Sequence, residues 1–297
     1  MFKYLFATVL FMQSLIYGKV YDCFTFFNEL ELLEIRLEEL YEVVDYFVIV
    51  EGTKSFTGND KLLFFAENKN LFKKYENKII HVIIDDFPQP TGDPEIDNWG
   101  REEYSHNYTL KALESCQKDD IILISDVDEI PNRKAINDIQ LYFKNKGKKF
   151  ARRIRENDLI CELHMRLFIF QLNRESSQGW KGAVKAAPYW LVKKRMPWDL
   201  KILHMYDRKL PKIYNAGWHF TSMGGIERAF YKWKNISTEY MYRDIYSECE
   251  ENREKLEEKY NYEMNKDTKP MPIDNSFPLH IINNLEYYYS IGWIAEY

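Results

Sequence analysis

Ile121-Ile-Leu-Ile-Ser-Asp-Val-Asp-Glu-Ile-Pro131 is the stretch on which the reading of this chain turns. Four aliphatic residues and a serine run into Asp126 and Asp128, followed by Glu129 and Pro131. The apolar run is too short and too β-branched for a helix and predicts a buried strand. Residues i and i+2 of an extended segment point to the same side. Asp126 and Asp128 are therefore expected to project together from the strand's carboxyl end, where open α/β sheets bind their ligands. Converging carboxylates repel unless a positive charge stands between them. Mn²⁺ or Mg²⁺, held by oxygen ligands and shared with a diphosphate, would supply that charge. Aspartates after a strand also close turns and cap helices, so the rest of the chain has to decide.

Outward from this stretch, the first half alternates strand and helix. Residues 28–41 predict a helix with Asn28 as its cap and Leu30, Leu33, Leu37 and Leu40 on one stripe. Residues 46–50 form a buried strand ending at Glu51, and residues 78–84 another ending at Asp85 and Asp86. Residues 87–100, with three prolines, read as a loop, and residues 101–116 and 134–145 as helices. This alternation predicts an α/β fold, a mostly parallel central sheet covered on both faces. Glu51, Asp86, Asp126 and Asp128 would then line one cleft.

The second half differs. Longer strands are expected over residues 159–172 and 183–192, with Trp180 between them. Residues 213–225, containing Gly217-Trp-His-Phe220 and Gly224-Gly225, read as a strand entering a glycine-rich turn. Helices follow over residues 227–234 and 243–260, and the tail is loop-rich.

At 297 residues and 45% hydrophobic, the chain can bury a full core without a disulfide framework. A net charge of −5 gives no support to nucleic-acid binding. Cys23, Cys116, Cys161 and Cys249 form no Cys-X-X-Cys pair, which weakens zinc and thioredoxin-like readings and leaves one or two disulfides open. Lys3 followed by an apolar run to Tyr17 and Gly18 predicts a signal peptide or short signal-anchor over residues 1–18. The run is short for a membrane span. The sequons at Asn107 and Asn235 are compatible with a lumenal address, in the secretory pathway or at its membranes.

Asp22-Cys-Phe-Thr-Phe-Phe-Asn-Glu-Leu-Glu-Leu-Leu-Glu-Ile-Arg36 resembles the opening signature of glycosyltransferase family 17. The order continues with residues 44–51, Phe56-Thr-Gly58, Asp86-Phe-Pro88, the Asp126–Pro131 stretch, Gly217-Trp-His-Phe220 and Gly224-Gly225. The resemblance implies a GT-A-like, Rossmann-type α/β/α sandwich, a UDP-N-acetylglucosamine donor, a glycan or glycoprotein acceptor and inversion at the anomeric carbon. It divides the chain into residues 1–18, a transferase domain over 19–262 and a C-terminal extension over 263–297.

In that reading Asp126, Asp128 and His219 hold the cation, neutral imidazole being a good ligand for Mn²⁺. Glu51 and Asp86 hold uridine or ribose hydroxyls with Asp126, and Trp180 and Trp218 stack on sugar or base. An inverting transfer needs a base for the acceptor hydroxyl. Glu227 is the first candidate and Glu129 the second, with Asp207 and Asp199 as further alternatives. Two rivals stand beside this reading. A haloacid-dehalogenase-type phosphatase also opens on an aliphatic strand and Asp-X-Asp, but places it near the N-terminus. A transferase-like sugar-binding protein whose chemistry has decayed would keep the fold without turnover.

Overall fold

The computed structural model describes residues 18–148, 155–203, 209–243 and 252–296. The N-terminal run to Tyr17, Asp207, Cys249 and much of the expected helix start after Arg243 lie outside the described residues.

Strands β1 (Val20–Phe26), β2 (Tyr46–Gly52), β3 (Ile79–Ile84) and β4 (Ile121–Asp126) pair in the order β3-β2-β1-β4, all parallel. Alternate residues feed two cores on opposite faces. Phe24, Phe47, Ile49 and Leu123 pack with Leu33, Leu37 and Leu40 of α1 (Leu30–Leu40) and Ile136 of α4 (Arg133–Lys148). Cys23, Val48, Val50, Ile122 and Ile124 pack on the other side with Tyr108 of α3 (Pro94–Tyr108) and Leu191 of α5 (Tyr189–Arg195). The sheet is thus covered on both faces, as the alternation of elements predicted. The helix α2 (Phe64–Asn68) follows β2.

Beyond β4 the sheet becomes mixed. The order continues through β7 (Arg174–Pro188), β6 (Cys161–Ile169), β9 (Gly217–Thr221) and β5 (Glu129–Pro131). β7 runs antiparallel to both β4 and β6, β6 is parallel to β9, and β5 is antiparallel to β9. Two short strands, β8 (Lys212–Ile213) and β10 (Thr268–Pro270), add to β6 and β7. The tail residues Phe277, Ile281, Tyr288, Trp293 and Ile294 join Leu32, Ile35, Phe168 and Phe220 in a third core.

Several expectations are corrected. Helix α3 begins at Pro94, inside the stretch read as a loop. Asp93 caps it, accepting from the amides of Glu95 (3.0 Å) and Ile96 (3.2 Å). Proline at the first helical position costs nothing, because its missing N–H would be unpaired there anyway. The strand expected over residues 183–192 stops at Pro188, which opens α5. Trp180 lies within β7 rather than between two strands. Asn28 does not cap α1; Glu29 occupies that place without a side-chain cap. Cys23, Cys116 and Cys161 are free and buried. Asn235 is buried with its amide donating to the Tyr231 carbonyl (2.8 Å), so this sequon offers no accessible glycan acceptor in the fold.

Candidate active site

Strand β4 does not carry both aspartates. It ends at Asp126, residues 127 and 128 turn, and Glu129 opens β5. The i, i+2 rule for an extended chain therefore lapses at Asp128, and the two carboxylates diverge toward different neighbours.

One buried arginine fixes this turn from beneath. Arg36, on α1, is 0% exposed. Its Nε and Nη2 grip the Asp22 carboxylate of β1 at 2.7 and 2.6 Å, and Nη2 also donates to Ser125 Oγ (2.6 Å). Its Nη1 donates to the carbonyl oxygens of Asp126 (2.8 Å), Val127 (3.2 Å) and Glu129 (2.9 Å). A rigid five-donor fork suits such a task, because carboxylate and carbonyls occupy fixed directions around one plane. Asp22 and Arg36 are the two ends of the signature stretch quoted above.

On one side, Asp126 Oδ1 accepts from Thr25 Oγ1 (2.7 Å), and Oδ2 pairs with Lys201 Nζ (2.8 Å). Lys201 closes the short helix α6 (Pro197–Lys201) and also pairs with Glu129 Oε2 (2.9 Å). Glu129 is 1% exposed; Oε2 further accepts the Asp126 amide (2.8 Å) and Oε1 the Trp180 indole (2.7 Å). Glu102 and His106 of α3 complete this side. With Asp126 they form a group whose ligand atoms lie within 4.8 Å of one another. His106 Nε2 is 3.3 Å from Asp126 Oδ1, off the line of a hydrogen bond, and has no hydrogen-bond partner. Burial would raise the Asp126 carboxyl, but Lys201 and then His106 hold it well below the usual carboxylate range. Burial, then the neighbouring Asp126 charge, push Glu102 upward.

On the other side, Asp128 Oδ2 takes Lys232 Nζ (2.7 Å) and lies 3.3 Å from His219 Nε2. Lys232, on α7 (Gly225–Trp233), also reaches Glu29 (3.3 Å). Burial opposes ionisation of Asp128, and Lys232 and His219 outweigh it, holding the carboxyl below its ordinary value. His219 comes from β9 directly opposite Glu129 in the β5–β9 ladder, and its ring lies 4.2 Å from that of Trp180. The two strands meet closely at Gly217, where φ is +145° and a Cβ would stand 2.1 Å from the Ile130 carbonyl. Only glycine tolerates that approach.

Both sides open into one cavity of about 590 Å³, within the ~300–1,000 Å³ that small-molecule sites occupy. Asp126, Asp128, Glu129, Trp180 and His219 line it, together with Glu102, Lys201, Lys232, Trp99 and Trp198. Four expected residues do not. Glu51 is 0% exposed and accepts the amides of Phe65 (2.9 Å) and Ala66 (3.3 Å) at the start of α2, with His81 beside it. Asp86 pairs with Lys111 at the surface. Trp218 is buried in the third core, its indole donating to the Ser276 carbonyl (3.1 Å). Glu227 is exposed and pairs with Arg253. Sequence reasoning gave no role to Glu102, His106, Lys201 or Lys232. Glu102-X-X-X-His106 carried a signal, since residues i and i+4 share a helix face; lone lysines carry none.

The profile of glycosyltransferase family 17 matches residues 12–186, more than half of the chain. The chain belongs to glycosyltransferase family 17. Among curated proteins, the β-1,4-mannosyl-glycoprotein 4-β-N-acetylglucosaminyltransferase of Homo sapiens is 32% identical over 121 residues, covering 39% of this chain and 22% of that protein. The Mus musculus protein of the same name is 31% identical over 121 residues, with the same coverage. The chain thus matches about a fifth of the length of these relatives. The family match spans β1 through most of β7 and so includes Asp22, Arg36, Glu102, His106, Asp126 and Asp128. His219, Lys201 and Lys232 lie beyond it.

Proposed function

We propose that this chain is a metal-dependent, inverting glycosyltransferase on a GT-A-like sheet, taking N-acetylglucosamine from UDP-N-acetylglucosamine to a glycan acceptor in the secretory pathway. The observation that carries this reading is the cavity itself, which Asp126 and Asp128 both line in a member of a glycosyltransferase family. The names of the similar proteins suggest a β-1,4-linked mannose of a glycoprotein as acceptor.

A divalent cation bound beside Asp126 would neutralise charge on the donor's diphosphate as it departs. The residues here suit one: His106 Nε2 is buried without a hydrogen-bond partner, and carboxylate with imidazole is a fit donor set for Mn²⁺. Lys201 and Lys232 would add fixed positive charge near the same phosphates. Trp180, Trp99 and Trp198 offer flat apolar faces for a sugar or base. Both Glu129 oxygens are already engaged, so Glu129 serves to hold Lys201 and Trp180 rather than to take a proton.

The test is donor binding and slow hydrolysis with Mn²⁺, comparing UDP-N-acetylglucosamine, UDP-glucose, UDP-galactose and GDP-mannose in wild type and Asp126→Ala. Metal-dependent binding or hydrolysis of UDP-N-acetylglucosamine, lost in the variant, is expected. No binding of any donor would favour a decayed sugar-binding protein.

A further inference from the structure

The cavity's two aspartates are not equivalent toward a cation. Asp128 already has an ammonium 2.7 Å from one oxygen. Asp126 instead faces a second carboxylate and an imidazole, with its own lysine on the opposite oxygen. Glu102 and His106 are separated by one helical turn and so present their heads from the same face of α3. His106 is 1% exposed, stacked near Trp198 (ring centroids 5.7 Å), and its Nε2 is directed at the cluster without forming a hydrogen bond. More than about nine in ten buried polar atoms find a partner, so an imidazole nitrogen without a hydrogen bond, within 4.8 Å of two carboxylates, calls for one.

We propose that Glu102, His106 and Asp126 form the divalent-cation cradle of this chain, with two of its three ligands supplied by α3, and that Asp128 is held by Lys232 and His219 without being a cation ligand. The inference rests on the transferase reading only for what the cation does; the cradle itself is tested without a donor. One nitrogen and two carboxylate oxygens favour Mn²⁺ over Mg²⁺, which prefers an all-oxygen shell and keeps its waters. The two carboxylates that now repel each other would share the ion's charge.

The experiment is titration of the full chain with Mn²⁺ alone, followed by electron paramagnetic resonance of the free ion and by calorimetry. The variants are His106→Gln, Glu102→Gln and His219→Gln, each checked for fold by its thermal transition. One Mn²⁺ is expected in wild type, bound more tightly than Mg²⁺. Affinity should fall at least about tenfold in His106→Gln and Glu102→Gln. It should stay within about threefold in His219→Gln. An intact affinity in His106→Gln, or the loss appearing in His219→Gln instead, overturns the cradle. So does the absence of Mn²⁺ binding to wild type. Mn²⁺ held by the cradle with no donor turned over would sink the transferase reading alone. Donor turnover by a wild type that binds no Mn²⁺ would sink the cradle alone.

Discussion

Asp126 and Asp128 stand two residues apart in one motif and line one cavity, yet the structure gives them different company. Asp126 meets Glu102, His106 and Lys201, brought by α3 and α6. Asp128 meets Lys232 and His219, brought by α7 and β9. The difference teaches that an Asp-X-Asp spacing sets where two carboxylates begin, while the chain's turn after Asp126 and the elements packed around it set what each can bind. What the two share lies below them, in the Asp22–Arg36 pair that holds the turn's carbonyls.

That shared base predicts the largest effect. Arg36→Met leaves Asp22 buried without its counter-charge and three carbonyls without a donor, and should cost about 3–5 kcal/mol. Urea unfolding followed by fluorescence measures it; a loss below about 1 kcal/mol would mean the turn holds itself. Next come the two cations. Lys201→Met exposes Asp126 and the 1%-accessible Glu129 side chain to each other's charge and should cost about 3 kcal/mol. Lys232→Met should cost less, about 2 kcal/mol, because Lys232 is itself wetter, 18% exposed against 7% for Lys201. Thermal transitions of the two variants rank the two sides, and the reverse order would break the comparison. Trp180→Phe keeps a ring against His219 but removes the donor to Glu129 Oε1, for about 1 kcal/mol, read in the same melts.

The smallest effect is a pH slope beneath the Asp126 side. Lys185 is buried, donates to the Gly182 carbonyl and reaches the Lys201 carbonyl (3.4 Å). Burial, with Lys201 nearby, lowers its pKa from 10.5 to about 8. Between those values the unfolded chain keeps a proton that the folded chain has lost, so folded stability rises with pH. Wild type should gain about 1 kcal/mol per pH unit relative to Lys185→Met from pH 8 toward 10. Parallel denaturation curves with no such convergence would refute it.

The local half of this fold was open to reading. Apolar runs ending in acids gave β2, β3 and β4 their places, and the leucine stripe gave α1 its buried face. Boundaries failed where one residue type has two uses. Pro94 starts a helix although prolines in number suggested a loop, and Pro188 ends a strand that its apolar neighbours would have continued. The acid-ended strands misled for another reason: Glu51 is turned to cap α2 and Asp86 to meet Lys111, so neither reaches the cavity.

Residue order and short-range periodicity were enough to read the family, the strand that leads into Asp126 and the pattern of two apolar faces. Only the tertiary structure decided which charges meet. Lys201 reaches Asp126 across 75 positions and Lys232 reaches Asp128 across 104, and no local pattern encodes such encounters. They follow from β7 and β9 joining the sheet on the far side of β4, which folds the second half of the chain over the carboxyl end of the first.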